Sequence, residues 1–140
     1  MIRKIAHLGV AVKDLGPVKR LYSELLRLPV SNEEENEEMR WVFVPVGESS
    51  MEFLQAKGED GPIARFIRKN GEGIHHVALE VDDIEAALHW LKASGLPLVD
   101  EVPRPGAHGS RIAFIHPKAT QGVLLELVER AGVVEEVGAS

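Results

Sequence analysis

Two histidines and two glutamates recur at matching places in this chain. His7 stands near the head of AHLGVAVKD, residues 6–14, and His76 near the head of GIHHVALEVDD, residues 73–83. Each lies seven residues before an aspartate, Asp14 in the first case and Asp83 in the second. Glu52 sits in MEFL, residues 51–54, and Glu126 in LELV, residues 125–128, so both carboxylates have apolar neighbours. In a strand, each glutamate shares a face with the residues two away and opposes its immediate neighbours. A carboxylate pointing inward needs a cation or a proton, because burying an unpaired charge is expensive. Two imidazoles and two carboxylates converging would form a mixed nitrogen and oxygen site suited to Mn, Co, Ni, Fe or Zn. A lone strand histidine is more often a hydrogen-bonded core residue, and a lone strand glutamate more often faces solvent. It is their paired occurrence that raises the metal reading. His75 points to the other face of a regular strand, which makes it a packing or substrate-side residue and not a ligand.

The elements that would position these groups alternate along the chain. Ile5 to Val12 reads as a strand, with His7, Gly9 and Ala11 on one face. Asp14 caps a helix with Pro17 in its first turn and Val18, Leu21, Tyr22, Leu25 and Leu26 at helical spacing. Strands are expected at about 28–32, 40–46 and 50–56, the last two joined as a hairpin through PVGESS. GPIARFIRKNG, residues 61–71, reads as a short amphipathic helix closed by Gly71. His76 to Val81 is again a strand. Asp83 caps a helix carrying Ile84, Ala87, Leu88 and Leu91 and ending at Gly95, and strands follow at about 97–101, 110–116 and 123–129.

The order β-α-β-β-β therefore occurs twice. Leu28-Pro29 answers Leu96-Pro97, Arg40-Trp41-Val42-Phe43 answers Arg111-Ile112-Ala113-Phe114, and Met51-Glu52-Phe53-Leu54 answers Leu125-Glu126-Leu127-Val128. Matches in one order imply a duplicated unit, neither copy of which buries its sheet face well alone. The expectation is one domain over 1–130, made of repeats at about 1–57 and 73–130 with a helical connector at 58–72, followed by a tail at 131–140.

Composition narrows the classes. A chain of 140 residues with 44% hydrophobic residues can build one core. No apolar run approaches the roughly 20 residues of a membrane span, and MIRKIAHLGV lacks a secretory pattern. The absence of cysteine removes disulfides, thiolate metal sites and cysteine nucleophiles, and fits a cytoplasmic protein. A net charge of −6 argues against nucleic acid as a partner, and EEENEE, residues 33–38, reads as a solvated loop. No phosphate loop or dinucleotide fingerprint follows a strand.

The paired units and their four polar positions resemble the vicinal oxygen chelate superfamily, and within it the methylmalonyl-CoA epimerase family. The likeness rests on HLGVAVKDL (7–15), GPIARFIRKNGEGIHHVALEVDDIEAAL (61–88), PRPGAHGSRIAFIHPK (103–118) and GVLLELVE (122–129). It implies an α+β fold of two β-α-β-β-β modules forming a curved, barrel-like mixed sheet around a metal. It also implies His7, Glu52, His76 and Glu126 as ligands of a divalent ion such as Co, Mn, Ni or Zn. The implied reaction interconverts (2R)- and (2S)-methylmalonyl-CoA through a metal-stabilised enolate, with Glu52 and Glu126 as the bases. An acyl-CoA substrate and a homodimer are the implied partners. Some members carry an acidic residue in the region matching 35–42. Here that strand reads Met39-Arg40-Trp41-Val42 and the acids stop at Glu38, so no base is carried onto it.

Gly106 and Gly109 in PRPGAHGSRIAFIHPK would let backbone N–H groups approach an anion. His108, Ser110 and Lys118 would then hold the substrate carboxylate or the CoA phosphates, and a plain hairpin loop with turn glycines carries equal weight. Three other readings use the same fold. A glyoxalase-type isomerase would act on a glutathione hemithioacetal. An extradiol dioxygenase would leave the position of Glu52 open. A binding module would need no metal.

Overall fold

The aspartates that follow the two strand histidines both cap helices. Asp14 accepts a hydrogen bond from the N–H of Gly16, and Asp83 accepts one from that of Ala86, each from extended backbone. The computed structural model describes residues 1–132. They form two units: Ala6–Val77, and Met1–Ile5 together with the chain from Ala78. The tail placed at 131–140 lies outside the described residues from position 133 onward.

The first half runs β1 (Ile2–Val12), α1 (Leu15–Val18), β2 (Glu34–Glu35), β3 (Met39–Val46) and β4 (Ser49–Ala56). The connector helix is α2 (Pro62–Asn70). The second half runs β5 (Gly73–Val81), α3 (Ile84–Ala93), β6 (Arg104–Pro105), β7 (Arg111–Ile115) and β8 (Leu125–Glu129). The β-α-β-β-β order thus appears twice in an α+β chain. In the Ala6–Val77 unit the strand order is β2-β3-β4-β1-β5, with β1 parallel to β4 and the hairpin partners antiparallel. In the other unit it is β5-β8-β7-β6.

Strand alternation sorts the side chains of the Ala6–Val77 unit. Val12, Val42, Val44 and Phe53 pack with Leu15 and Val18 of α1 on one face. Ala11 and Leu54 pack with Ile63 of α2 on the other. His7 and Glu52 fall on this second face by their even offsets from Ala11 and Leu54. Helix α2 starts at Pro62, carries Arg68 and Lys69 in its last turn and stops at Gly71, whose φ of 78° is open to glycine. In the other unit Val81, Ile84, Leu88, Ala113 and Leu127 form the core. Arg111 bonds Glu85 at 2.9 Å and Glu129 at 2.7 Å, and these hydrogen bonds hold its guanidinium above the ordinary value, so it stays charged at every working pH.

Three elements differ from the sequence reading, each for a local reason. The strand expected at 28–32 does not form. Pro29 has no N–H to give, and pairing begins downstream at β2, inside the acidic run read as a loop. There Glu34 accepts from Trp41 Nε1 at 3.1 Å and Glu35 from Arg40 Nε at 3.2 Å. The strand expected at 97–101 shrinks to a single bridge between Leu98 and Ile115, with β6 following at 104–105. The first helix is α-helical only to Val18 and continues as a π-helix over Lys19–Leu25. A wider turn breaks the 3.6-residue stripe, so Val18 is buried while Leu21, Leu25 and Leu26 stay exposed.

Candidate metal centre

Neighbouring strands bring three of the four recurring residues together. His7 comes from β1, Glu52 from β4 and His76 from β5, and their ligand atoms all lie within 4.8 Å of one another. His7 Nε2 is 3.2 Å from His76 Nε2 and 3.3 Å from Glu52 Oε1, and His76 Nε2 is 3.7 Å from the same oxygen. The side chains of His7, Glu52 and His76 are 13%, 12% and 6% exposed. Phe43, which pairs with Glu52 across β3 and β4, sets its ring edge-on to His7 at 6.0 Å.

This donor set fits a divalent cation. Ligands about 2.1 Å from one ion, held at tetrahedral or octahedral angles, lie roughly 3.0–3.4 Å apart. Two of the observed separations fall in that range and the third is a few tenths of an ångström beyond it. Two neutral imidazole nitrogens with one carboxylate oxygen suit borderline metals. The coarse reading, a divalent metal held by His7, Glu52 and His76, matches the geometry.

Gly9 makes the convergence possible. It is the register partner of Glu52 on β1 and β4. A Cβ built on it would overlap the His76 ring, with Nε2 at 2.5 Å and Cε1 and Nδ1 closer still. The sequence reading put Gly9 on the face of His7 and gave it no role. The signal was a glycine inside a strand, which marks a close approach.

His75 does not turn away as strict alternation requires. Its Nδ1 lies 3.0 Å from His76 Nδ1, and its ring meets Phe66 of α2 edge-on at 5.1 Å. It is not a member of the ligand group.

The remaining candidates lie in the other unit. Glu126 on β8 is 6% exposed and pairs with Phe114 of β7, as Glu52 pairs with Phe43. Ser110 is half-buried, while His108 and Lys118 are exposed. The loop they flank closes on itself. Gly106 N–H donates to Ser110 O at 2.9 Å and Ser110 N–H to Ala107 O at 3.1 Å. His108 adopts φ 56°, and a Cβ on Gly106 would sit 2.6 Å from Ser110 Oγ. The Gly106 amide is thus spent on the turn and is not offered to an anion. Lys118 lies in the 3-10 turn Pro117–Ala119, its N–H bonded to His116 Nδ1 at 3.0 Å.

The Glyoxalase/Bleomycin resistance protein/Dioxygenase superfamily model matches residues 6–114, and the chain belongs to that superfamily. Among curated relatives it is 38% identical over 132 residues to "Methylmalonyl-CoA epimerase, mitochondrial" of Dictyostelium discoideum, covering 92% of this chain and 80% of that protein. It is 37% identical over 131 residues to "Ethylmalonyl-CoA/methylmalonyl-CoA epimerase" of Cereibacter sphaeroides, covering 91% and 98%. A solved methylmalonyl-CoA epimerase in complex with methylmalonyl-CoA and NH4+ superposes with a TM-score of 0.88 at 33% identity, covering 95% of this chain and 98% of that one. No helix among the described residues is long and apolar enough to cross a membrane.

Proposed function

We propose that this protein is a metal-dependent epimerase that interconverts (2R)- and (2S)-methylmalonyl-CoA. The observation that carries the proposal is the gathered His7, Glu52 and His76 triad in a chain whose relatives at 37–38% identity are epimerases of this substrate class. The reaction moves one proton at C2, between a thioester and a carboxylate. Removing that proton leaves a planar enolate, and returning one to the opposite face gives the other epimer. When bound, a divalent ion supplies Lewis-acid stabilisation of the charge that develops on the thioester oxygen. His7 Nε2, His76 Nε2 and a Glu52 oxygen would hold it, with Glu126 as the fourth ligand and Co, Mn, Ni or Zn as the metal.

Glu52 and Glu126 are the two proposed bases, one taking the C2 proton as the other, in its acid form, gives one back. The low exposure of Glu126 and its repeat of the Glu52 and Phe43 pairing support this role. His108, Ser110 and Lys118 are proposed to meet the substrate through side chains, since the Gly106 amide is occupied. The segments 1–57 and 73–130 are proposed copies of one unit, supported by their matched caps and matched Phe/Glu registers. A homodimer in the cytoplasm completes the proposal.

The hemithioacetal-isomerase reading has weaker support, because two relatives that carry the epimerase name are 37–38% identical, whereas a probable lactoylglutathione lyase is 28% identical. The test is to incubate metal-loaded protein with one epimer in deuterium oxide and follow deuterium at C2 and appearance of the other epimer. Metal-dependent exchange with inversion, lost on chelation and in Glu126→Ala, is expected. No exchange in protein that holds its metal would overturn the epimerase and favour the isomerase.

A further inference from the structure

Strand β3 alternates buried valines with half-buried aromatics. Val42 and Val44 pack with α1, whereas Trp41 and Phe43 fall on the opposite face with Leu54 and Glu52, their register partners on β4. Phe43 is engaged edge-on with His7. Trp41 packs against the Ala11, Leu54 and Ile63 cluster and stands diagonal to Glu52 across the hairpin. Such diagonal neighbours lie roughly 7–8 Å apart, within reach of an aromatic ring. The indole is tied at its edge, where Nε1–H donates to Glu34 Oε2 at 3.1 Å. Glu34 is the one half-buried glutamate of residues 33–38, and β2 pairs it directly with Trp41. The acidic run thus pins a large flat ring beside a proposed metal ligand. The second repeat has Ile112 at the matching position, so the indole belongs to one half only.

Ligand sites are lined mostly by apolar and aromatic side chains with a few polar groups, and half-buried aromatic surface beside the triad meets that description. In the proposed substrate the thioester and the carboxylate flank C2, and the one apolar group on that carbon is its methyl. We propose that Trp41 is a specificity-determining residue, the wall that the alkyl group at C2 meets, and that Glu34 holds it in place. The proposal rests on the epimerase reading above. A wall of fixed depth admits a methyl and refuses longer chains, because one methylene more or less in a hydrophobic pocket changes kcat/KM by about 10–200-fold.

The test uses the full zinc-loaded chain and two probes, methylmalonyl-CoA and butylmalonyl-CoA, each followed by deuterium incorporation at C2. Wild type should favour the methyl substrate by at least about 10-fold in kcat/KM. Trp41→Val should lower that preference by about 10-fold or more with zinc affinity unchanged. Glu34→Leu, which releases the indole, should lower it in the same direction, and Glu34→Gln, whose amide oxygen accepts the same N–H, should keep it. A merely structural role would slow both substrates together and leave their ratio alone. The second readout is the fluorescence of Trp41 in Trp90→Phe, since the chain has two tryptophans and Trp90 is exposed. Methylmalonyl-CoA should change that fluorescence. An unaltered ratio in Trp41→Val, or fluorescence that does not respond while exchange proceeds, overturns the proposal and leaves the epimerase standing. Zinc-loaded wild type that exchanges neither substrate overturns the epimerase reading and the proposal with it. Fluorescence decides the matter even if Trp41→Val fails to fold.

Discussion

Gly9→Ala sets two effects of opposite sign against each other. Alanine in a strand is ordinarily better than glycine by about 0.5–1 kcal/mol, because glycine loses more backbone freedom on folding. At Gly9 the new methyl would meet His76 Nε2 at 2.5 Å and Cε1 and Nδ1 closer still, where ordinary contact begins at 3.4 Å, so the ring must retreat by more than about 0.9 Å. Overpacking of this kind costs about 1–3 kcal/mol, so the clash outweighs the backbone gain and the variant loses stability. The larger effect falls on the site. A metal ligand tolerates a displacement of about 0.2 Å, several times less than the retreat required. His76 is then lost as a ligand, and zinc affinity should fall by at least about 100-fold, more than the usual effect of losing an outer-shell partner. Calorimetric melting and chelator competition read the two consequences separately. Gly58→Ala is the control, since a Cβ there meets nothing within 4 Å. A Gly9→Ala protein that melts no lower than wild type and binds zinc(II) as tightly would refute the account of Gly9 as the space His76 occupies.

Glu126→Gln keeps shape and removes the proposed base. Proton exchange at C2 should fall by about 10²–10⁴-fold with melting near wild type, measured by deuterium incorporation. Glu52→Gln should lose zinc affinity as well as exchange, because its oxygen lies against both imidazoles. Asp83→Ala removes the cap of α3 and should cost about 1 kcal/mol in chemical denaturation without changing zinc affinity. Glu80 is 4% exposed and lies 3.4 Å from Arg3 Nε and 3.7 Å from Arg130 Nη1. Replacing the carboxylate with Met should therefore be near neutral, whereas Arg3→Met should destabilise by about 1–2 kcal/mol, discounted because Arg3 is half exposed. Equal losses from the two substitutions in urea titrations would contradict that reasoning.

The parts of the fold legible in the sequence were those written in short-range chemistry. Asp14 and Asp83 announced two helix starts, Gly71 a helix end, and alternation the faces of β1, β4 and β5. The misplaced strands at 28–32 and 97–101 share a cause. Each has a proline within its first two residues, and their apolar residues pack or bridge singly, while the ladder forms later at charged or proline-containing pairs. Periodicity carries no trace of such register choices. The π-helix was hidden similarly, since Leu21, Leu25 and Leu26 fit an α-helical stripe that the wider turn never makes. At the site, types and spacing named His7, Glu52 and His76. They did not reveal Gly9, whose role is the room it leaves, or His75, whose ring departs from the alternation its position implies.

Epimerisation asks for a base on each face of a planar carbon, and the chain narrows which groups can serve. The strand β3 opens Met39-Arg40-Trp41-Val42 without an acid, and Glu38 just before it is exposed. An exposed carboxylate exchanges its proton with solvent and holds none for return. Glu52 and Glu126 differ in this respect, since the Glu52 side chain is 12% exposed and Glu126 6%, each the register partner of a phenylalanine across its hairpin. Glu52 Oε1 lies 3.3 Å from His7 Nε2 and 3.7 Å from His76 Nε2. If each glutamate serves one face, the two directions of the reaction should respond unequally to the two Gln variants. Removal of Glu52 should slow proton abstraction from one epimer, and removal of Glu126 abstraction from the other, so single-epimer exchange measured with each variant assigns a face to each glutamate.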